Sequence, residues 1–247
     1  LARRQSAPEP QAARPRIVLD PGHGGVDPGA IRADIAEKDI ALAFALELRA
    51  VLEASGRYEV VLTREADIFL SLRERVRIAR AAEADVFLSL HANTVTRGNA
   101  SGAAIYTLSE EASSREAAAL AALENRADLV GGVDLGAGED DLALLLTDMA
   151  QRDTNARSAD LAEVTVAALR DAVGVIRTNP HRQAGFRVLK APDIPSLLIE
   201  LGFLSDAGDR ANLVSPRWRR HAADGILAAL DAWADREGMI AARAISP

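Results

Sequence analysis

Short apolar runs that stop at chemically capable residues constrain this chain more than any other feature. RIVLD (Arg16 to Asp20) enters the turn PGHGG, DVFLSL (Asp85 to Leu90) enters His91-Ala92-Asn93, and SLLIEL (Ser196 to Leu201) carries Glu200 near its end. Runs of this length, bounded by turn residues, read as buried strands. Longer segments of helical period lie between them. Lys38 to Ala54 sets Ile40, Phe44, Leu48, Val51 and Leu52 on one face. Ser71-Leu72-Arg73-Glu74 is a capping box opening a helix through about Ala82, and Ser215-Pro216 opens a last helix running to about Trp233. Tyr58 to Arg64, Ala103 to Thr107 and Phe186 to Leu189 complete the predicted strands. The alternation predicts a single α/β domain with a mixed, mostly parallel sheet flanked by helices.

One stretch breaks the rhythm. From Leu108 to Pro180 there is no strand signal, and Ser114 to Ala127, Asp140 to Gln151 and Asn155 to Ala172 all read as helices. They are linked by a glycine-rich segment, Gly131 to Gly138. So large an excursion in an α/β domain points to a functional insertion. Residues 1–15 are rich in Pro, Ala and Arg without periodicity and read as a disordered linker from something upstream, so the chain is expected to be a fragment or a processed form. A catalytic domain is expected over residues 16–240, with 108–180 as its helical insertion and 241–247 as a tail.

Composition narrows the chemistry. A net charge of -7 argues against nucleic acid, which needs clustered Lys and Arg. The absence of cysteine removes disulfides, thiolate-bound zinc and a cysteine nucleophile together. No apolar run approaches the ~18–20 residues of a membrane span. A monomer is expected.

Three groups stand where open α/β sheets place their sites: His23 after the first strand, Glu37 at the start of the following helix, and His91 after the third strand. Two imidazoles and a carboxylate make the ligand set of a catalytic zinc with a fourth position open to water. The water's proton then needs a base that can pass it to a leaving amine, and Glu200 is the candidate. Each residue alone has a blander and commoner explanation: a satisfied turn histidine, a solvated carboxylate at a helix start, a paired surface acid. Their joint placement carries the argument. His221 falls opposite the apolar stripe of the last helix and reads as solvated, and His181 reads as a connecting-loop residue.

These residues lie in segments that resemble the catalytic domain of the zinc-dependent type 3 N-acetylmuramoyl-L-alanine amidases. The segments are IVLDPGHGGVDPGAI (Ile17 to Ile31), EKDIALAFALEL (Glu37 to Leu48), VVLTREAD (Val61 to Asp67), LRERVRIA (Leu72 to Ala79), ADVFLSLHAN (Ala84 to Asn93) and IPSLLIELGFLSD (Ile194 to Asp206). The resemblance implies Zn2+ held by His23, Glu37 and His91, Glu200 as general base and acid, a phosphorylase/hydrolase-like fold, and cleavage of the stem peptide from the glycan of peptidoglycan. ENRADLVGG (Glu124 to Gly132) and QAGFRVLKAPDIPS (Gln183 to Ser196) are similar to the cell-division amidases of Gram-negative bacteria. That branch implies a periplasmic enzyme whose inserted helix closes the site with a glutamate at the fourth zinc position, Glu124 first and Glu139 second. It also implies release by an activator protein with a LytM-type domain during daughter-cell separation. Two alternatives remain open: a zinc peptidase or deacetylase, and a peptidoglycan-binding module without catalysis.

Overall fold

The computed structural model describes residues 14–94, 100–132 and 144–239. Its elements in chain order are β1 (Arg16–Pro21), β2 (Ile31–Arg32), β3 (Ile35–Ala36), α1 (Glu37–Ala54), β4 (Glu59–Leu62), α2 (Leu72–Ala81), β5 (Val86–His91), β6 (Ala104–Leu108), α3 (Arg115–Glu124), α4 (Ala127–Val130), α5 (Leu144–Ala172), β7 (His181–Ala184), a 3-10 turn (Arg187–Leu189), β8 (Ser196–Glu200), α6 (Ala207–Leu213) and α7 (Pro216–Arg236).

The main sheet has six strands in the order β4-β1-β5-β8-β6-β7. β4, β1, β5 and β8 run parallel, β6 runs antiparallel to β8, and β7 follows β6 in parallel. β1, β5 and β8 are almost wholly buried, which explains their continuous apolar runs: both faces are covered. One face packs on α1, α5 and α7 through Phe44, Leu48, Leu161, Leu169, Ile226 and Trp233. The other packs on α2, α3 and the 3-10 turn through Leu72, Ala79, Leu120, Phe186 and Val188.

Local signals hold where they were strongest. Ser71 closes the capping box of α2, accepting from the Glu74 N–H at 3.2 Å while its own N–H donates to Glu74 Oε2 at 2.8 Å. Ser215 caps α7 with Pro216 at its first position. Elsewhere the structure corrects the reading. Phe186 to Leu189 is not a strand; the strand lies upstream at His181–Ala184. Phe186, Val188 and Leu189 gain burial by dropping into the second core cluster, and their apolar character signalled burial, not pairing. The same shift takes His181 out of a connecting loop and makes it the first residue of β7, its Nε2 2.8 Å from Thr107 Oγ1.

The two helices expected at Asp140 to Gln151 and Asn155 to Ala172 are one helix from Leu144. No glycine or proline interrupts Arg152-Asp153-Thr154, and the Thr154 hydroxyl donates to the Pro192 carbonyl at 2.8 Å, so the polar step is accommodated without a break. The hairpin β2–β3 and the helix α6 gave no sequence signal. Residues 1–13, 95–99, 133–143 and 240–247, including Glu139 and most of the glycine-rich segment, lie outside the described residues. Among the described residues no helix is long and apolar enough to cross a membrane.

Candidate metal centre

The site forms at the edge where β1, β5 and β8 end. β1 delivers the chain to Gly22-His23, with His23 in the left-handed region at φ 58°. That costly conformation is held by two buried guanidinium groups. Arg75 donates to the Pro21 carbonyl at 2.8 Å and the His23 carbonyl at 2.7 Å, and Arg64 donates to the Pro21 and Gly22 carbonyls at 3.0 and 2.8 Å. Asp20 accepts from Arg75, Thr63 and Ser89 at 2.7, 2.6 and 2.8 Å. Burial alone would raise the Asp20 carboxyl, but Arg75 and these hydroxyls hold it below its ordinary value. Burial, with the like charge of Arg75 beside it, pushes Arg64 down to about 10.

Gly22 and Gly29 are set by close approach. A Cβ on Gly22 would stand 2.4 Å from His91 Cε1, and one on Gly29 would stand 2.6 Å from His23 Cδ2 and 2.7 Å from Glu37 Oε2. Small residues here let the imidazoles and the carboxylate converge.

The convergence is tight. His23 Nδ1 lies 2.8 Å from Asp27 Oδ2, which turns Nε2 inward. Nε2 then stands 3.2 Å from Glu37 Oε1 and 3.5 Å from Glu124 Oε2. His91 Nδ1 stands 3.0 and 3.4 Å from the same two oxygens. Glu37, the first residue of α1, is fixed by the N–H groups of Ala30 (2.9 Å, on Oε2) and Ala92 (3.0 Å, on Oε1). Glu124, the last residue of α3, arrives from the opposite side. All four side chains are buried.

Glu200 completes the group from β8, level with His91 across the β5–β8 ladder. Its Oε2 accepts the Asn93 N–H at 2.8 Å, while its buried Oε1 has no hydrogen-bond partner.

Electrostatics separate these carboxylates. Burial opposes charge on Glu37, but His23 and His91 outweigh it and hold Glu37 well below the ordinary carboxylate range. Burial raises Glu124, with the two histidines pulling the other way. Burial, reinforced by the charges of Glu37 and Glu124, pushes Glu200 well above its ordinary value. For His23 burial disfavours the cation, yet Glu37 and Glu124 win and raise it well above its ordinary value. This donor set suits a small divalent cation. His23 Nε2 is buried and has no aligned hydrogen-bond partner, and ligand atoms of His23, His91 and Glu124 lie within 4.8 Å of one another. Imidazole nitrogens with carboxylate oxygens are the ligands zinc takes.

The sequence-predicted His23, Glu37, His91, Glu200 and Glu124 therefore meet in one place. His181 and His221 do not join them; His221 is exposed on α7. The reading missed Asp27, whose spacing four residues after His23 was the available signal, and the Asp20, Arg64 and Arg75 network beneath the loop. The cavity left among Asp20, Gly22, His23, Arg75, His91 and Glu124 holds about 10 Å³, room for roughly one water.

Comparison with known proteins gives this cluster its context. Residues 17–232 match the family described as N-acetylmuramoyl-L-alanine amidase. The amidase AmiC of Escherichia coli O6:H1 is 38% identical over 93% of this chain, and the match covers 56% of AmiC. The amidase AmiA of Escherichia coli K12 is 38% identical over 85% of this chain and 73% of its own length. The chain thus spans little more than half the length of AmiC. Among solved structures, the amidase AmiC2 of Nostoc punctiforme superposes with a TM-score of 0.67 at 26% identity, over 92% of this chain and 100% of that one. With the family match covering nearly the whole sheet, the chain belongs to the N-acetylmuramoyl-L-alanine amidase family.

Proposed function

We propose that this protein hydrolyses the amide bond between N-acetylmuramic acid and L-alanine in peptidoglycan, and that it is held off by its own Glu124. The observation that carries the reading is the convergence of two buried histidines and the paired acids Glu37 and Glu200 at one sheet edge, in a chain of this family. His23, Glu37 and His91 would hold zinc. Zinc bound there supplies Lewis acidity toward the scissile carbonyl and toward a water.

The remaining work belongs to the chain's own side chains. Asp27 fixes the His23 ring so that Nε2 faces the centre. The Ala30 and Ala92 N–H groups keep Glu37 oriented, and His23 and His91 hold it anionic. Glu200 takes the proton of the attacking water and gives it to the departing L-alanine nitrogen. A carboxyl raised toward neutrality suits both halves of that transfer, and the Asn93 N–H keeps Oε1 free for it.

Glu124 supports the second half of the proposal. Its carboxylate lies 3.5 and 3.4 Å from the ring nitrogens of His23 and His91 that face the centre, where a substrate carbonyl or a water would have to approach. Opening requires α3 to move. A partner that favoured the open state by about 5.5 kcal/mol would take the population from 1:99 to 99:1. We assign that role to a LytM-domain activator acting in the periplasm during daughter-cell separation.

Purified peptidoglycan incubated with the zinc-loaded protein tests both halves. Glu124→Ala is expected to raise the release of stem peptides bearing a free L-alanine amino terminus, and Glu200→Ala to abolish it. Release of peptides cut at another bond, or of acetate, would replace the reading with a zinc peptidase or a deacetylase. Undiminished release by Glu200→Ala would end the assignment of the general base.

A further inference from the structure

Beside the closed metal cluster lies a much larger space. A cavity of about 1090 Å³ opens along the same sheet edge, lined by Asn93, Phe203, Tyr106, Arg177, His181 and Arg182 among others. Asn93 belongs to both places: it lines the groove, and its N–H holds Glu200. The groove therefore begins where the scissile bond would sit. We propose that it seats the stem peptide, and that Arg182, assisted by Arg177, binds a free carboxylate on the second or third residue of that peptide. This rests on the amidase reading above.

Register supports the reach. Ala104 of β6 pairs with Glu200, and Tyr106, two residues further on, pairs with Arg182 of β7. Two strand spacings of ~4.8 Å and two residues of ~3.3 Å rise put the Arg182 backbone about 12 Å from that of Glu200. An extended peptide covers that distance in about three residues, and the arginine side chain shortens it.

Charge supports the ligand class. Arg182 is half-buried and its Nε donates to the Asn179 carbonyl at 3.1 Å. That tie restrains the planar guanidinium, a group whose fork suits a two-pronged grip on a carboxylate. Arg177 is exposed and forms no ion pair among the described residues. Of the acids in the groove, Asp209 is already occupied by the Ser101 hydroxyl and the Gly102 and Phe203 N–H groups. The other groove acid, Glu116 at the start of α3, is held below its ordinary value chiefly by a backbone N–H and the Ser114 hydroxyl, and among the described residues no ion pair ties it to Arg182 or Arg177.

A neutral glycan strand fits less well. Sugars bind on open aromatic faces, whereas Tyr106 is 2% exposed and packed edge-on to Phe186, and Phe203 is 4% exposed.

Calorimetric titration of the full chain with L-Ala-γ-D-Glu-L-Lys, both carboxylates free, and with the same peptide converted to carboxamides, tests the proposal without requiring turnover. The free acid is expected to bind about tenfold more tightly, in line with a charge-assisted hydrogen-bond pair. Arg182→Gln should erase that gap, Arg182→Lys should restore part of it, and Arg177→Gln, at an exposed position with no fold to break, should narrow it. Equal binding of the two peptides, equal weakening of both by Arg182→Gln, or displacement of the peptide by a peptide-free glycan fragment would overturn it. Carboxylate-selective binding with no peptidoglycan cleavage by the Glu124→Ala variant would keep the groove and remove the amidase reading; cleavage by that variant without selectivity would do the reverse.

Discussion

Beneath the His23 loop, Asp20 and Arg75 form an ion pair at 2.7 Å with side chains almost wholly buried. Arg75 is more than a counter-charge, because the same guanidinium grips the Pro21 and His23 carbonyls. The geometry of His23 therefore depends on Asp20 remaining ionised. Since the folded Asp20 carboxyl is held below its unfolded value, its stabilisation is present above a pH of about 4 and is lost as pH falls through the folded value. Asp20→Asn is expected to cost about 3–5 kcal/mol at pH 7, the usual effect of leaving a buried charge without its partner. The gap from wild type should shrink as pH drops below about 4. Urea unfolding between pH 3 and 7 measures this, and a gap of constant size would show that the ion pair is not the source. The sequence offered Asp20, Arg64 and Arg75 only as letters within longer matching segments. Their role depends on a fold that brings residues 20, 64 and 75 together, and no local pattern encodes that meeting.

At the scale of elements, α3 and α4 do more than cover the site. Asn125 of the α3–α4 turn donates to the Gly185 carbonyl at 2.9 Å and accepts the Arg187 N–H at 2.8 Å. Asp128 of α4 accepts the N–H of Leu72, the first residue of α2, at 2.8 Å. An aspartate of α4 thus acts as a second cap on a core helix, beside the Ser71 box. Asp128→Ala is expected to destabilise the protein by about 1–2 kcal/mol and to speed hydrogen exchange at Leu72. Unchanged exchange there would mean that Ser71 and Glu74 suffice. Element boundaries were legible where end signals were explicit, as at Ser71 and Ser215. They failed where packing overrode the pattern: the 3-10 turn at Arg187–Leu189 looked like a strand because it is buried, and α6 and β2–β3 are too short to show a period. The docking of α3 on the histidines was invisible to periodicity, since a helix carrying Glu124 looks the same wherever it rests.

For the whole molecule, the strand order sets the behaviour. β8 is the last strand in sequence, yet it lies between β5 and β6 in the middle of the sheet. Two helical layers then close on both faces, with the α5–α7 contact carrying Leu161, Leu169, Ile226 and Trp233 into one core. Such interleaving predicts a single cooperative unfolding transition, with far-ultraviolet circular dichroism and Trp fluorescence changing together. Separated transitions would mean that the helical insertion unfolds on its own. The α/β class and the site's main residues could be read early because parallel strands buried on both faces leave continuous apolar runs, and their ends mark the active edge. The central position of β8 has a consequence for synthesis. A nascent chain that stops before residue 196 carries His23, Glu37 and His91, but neither the strand that joins the two halves of the sheet nor Glu200. The chain therefore cannot bring Glu200 to the two histidines until β8 is made, and a product ending before residue 196 lacks the full cluster.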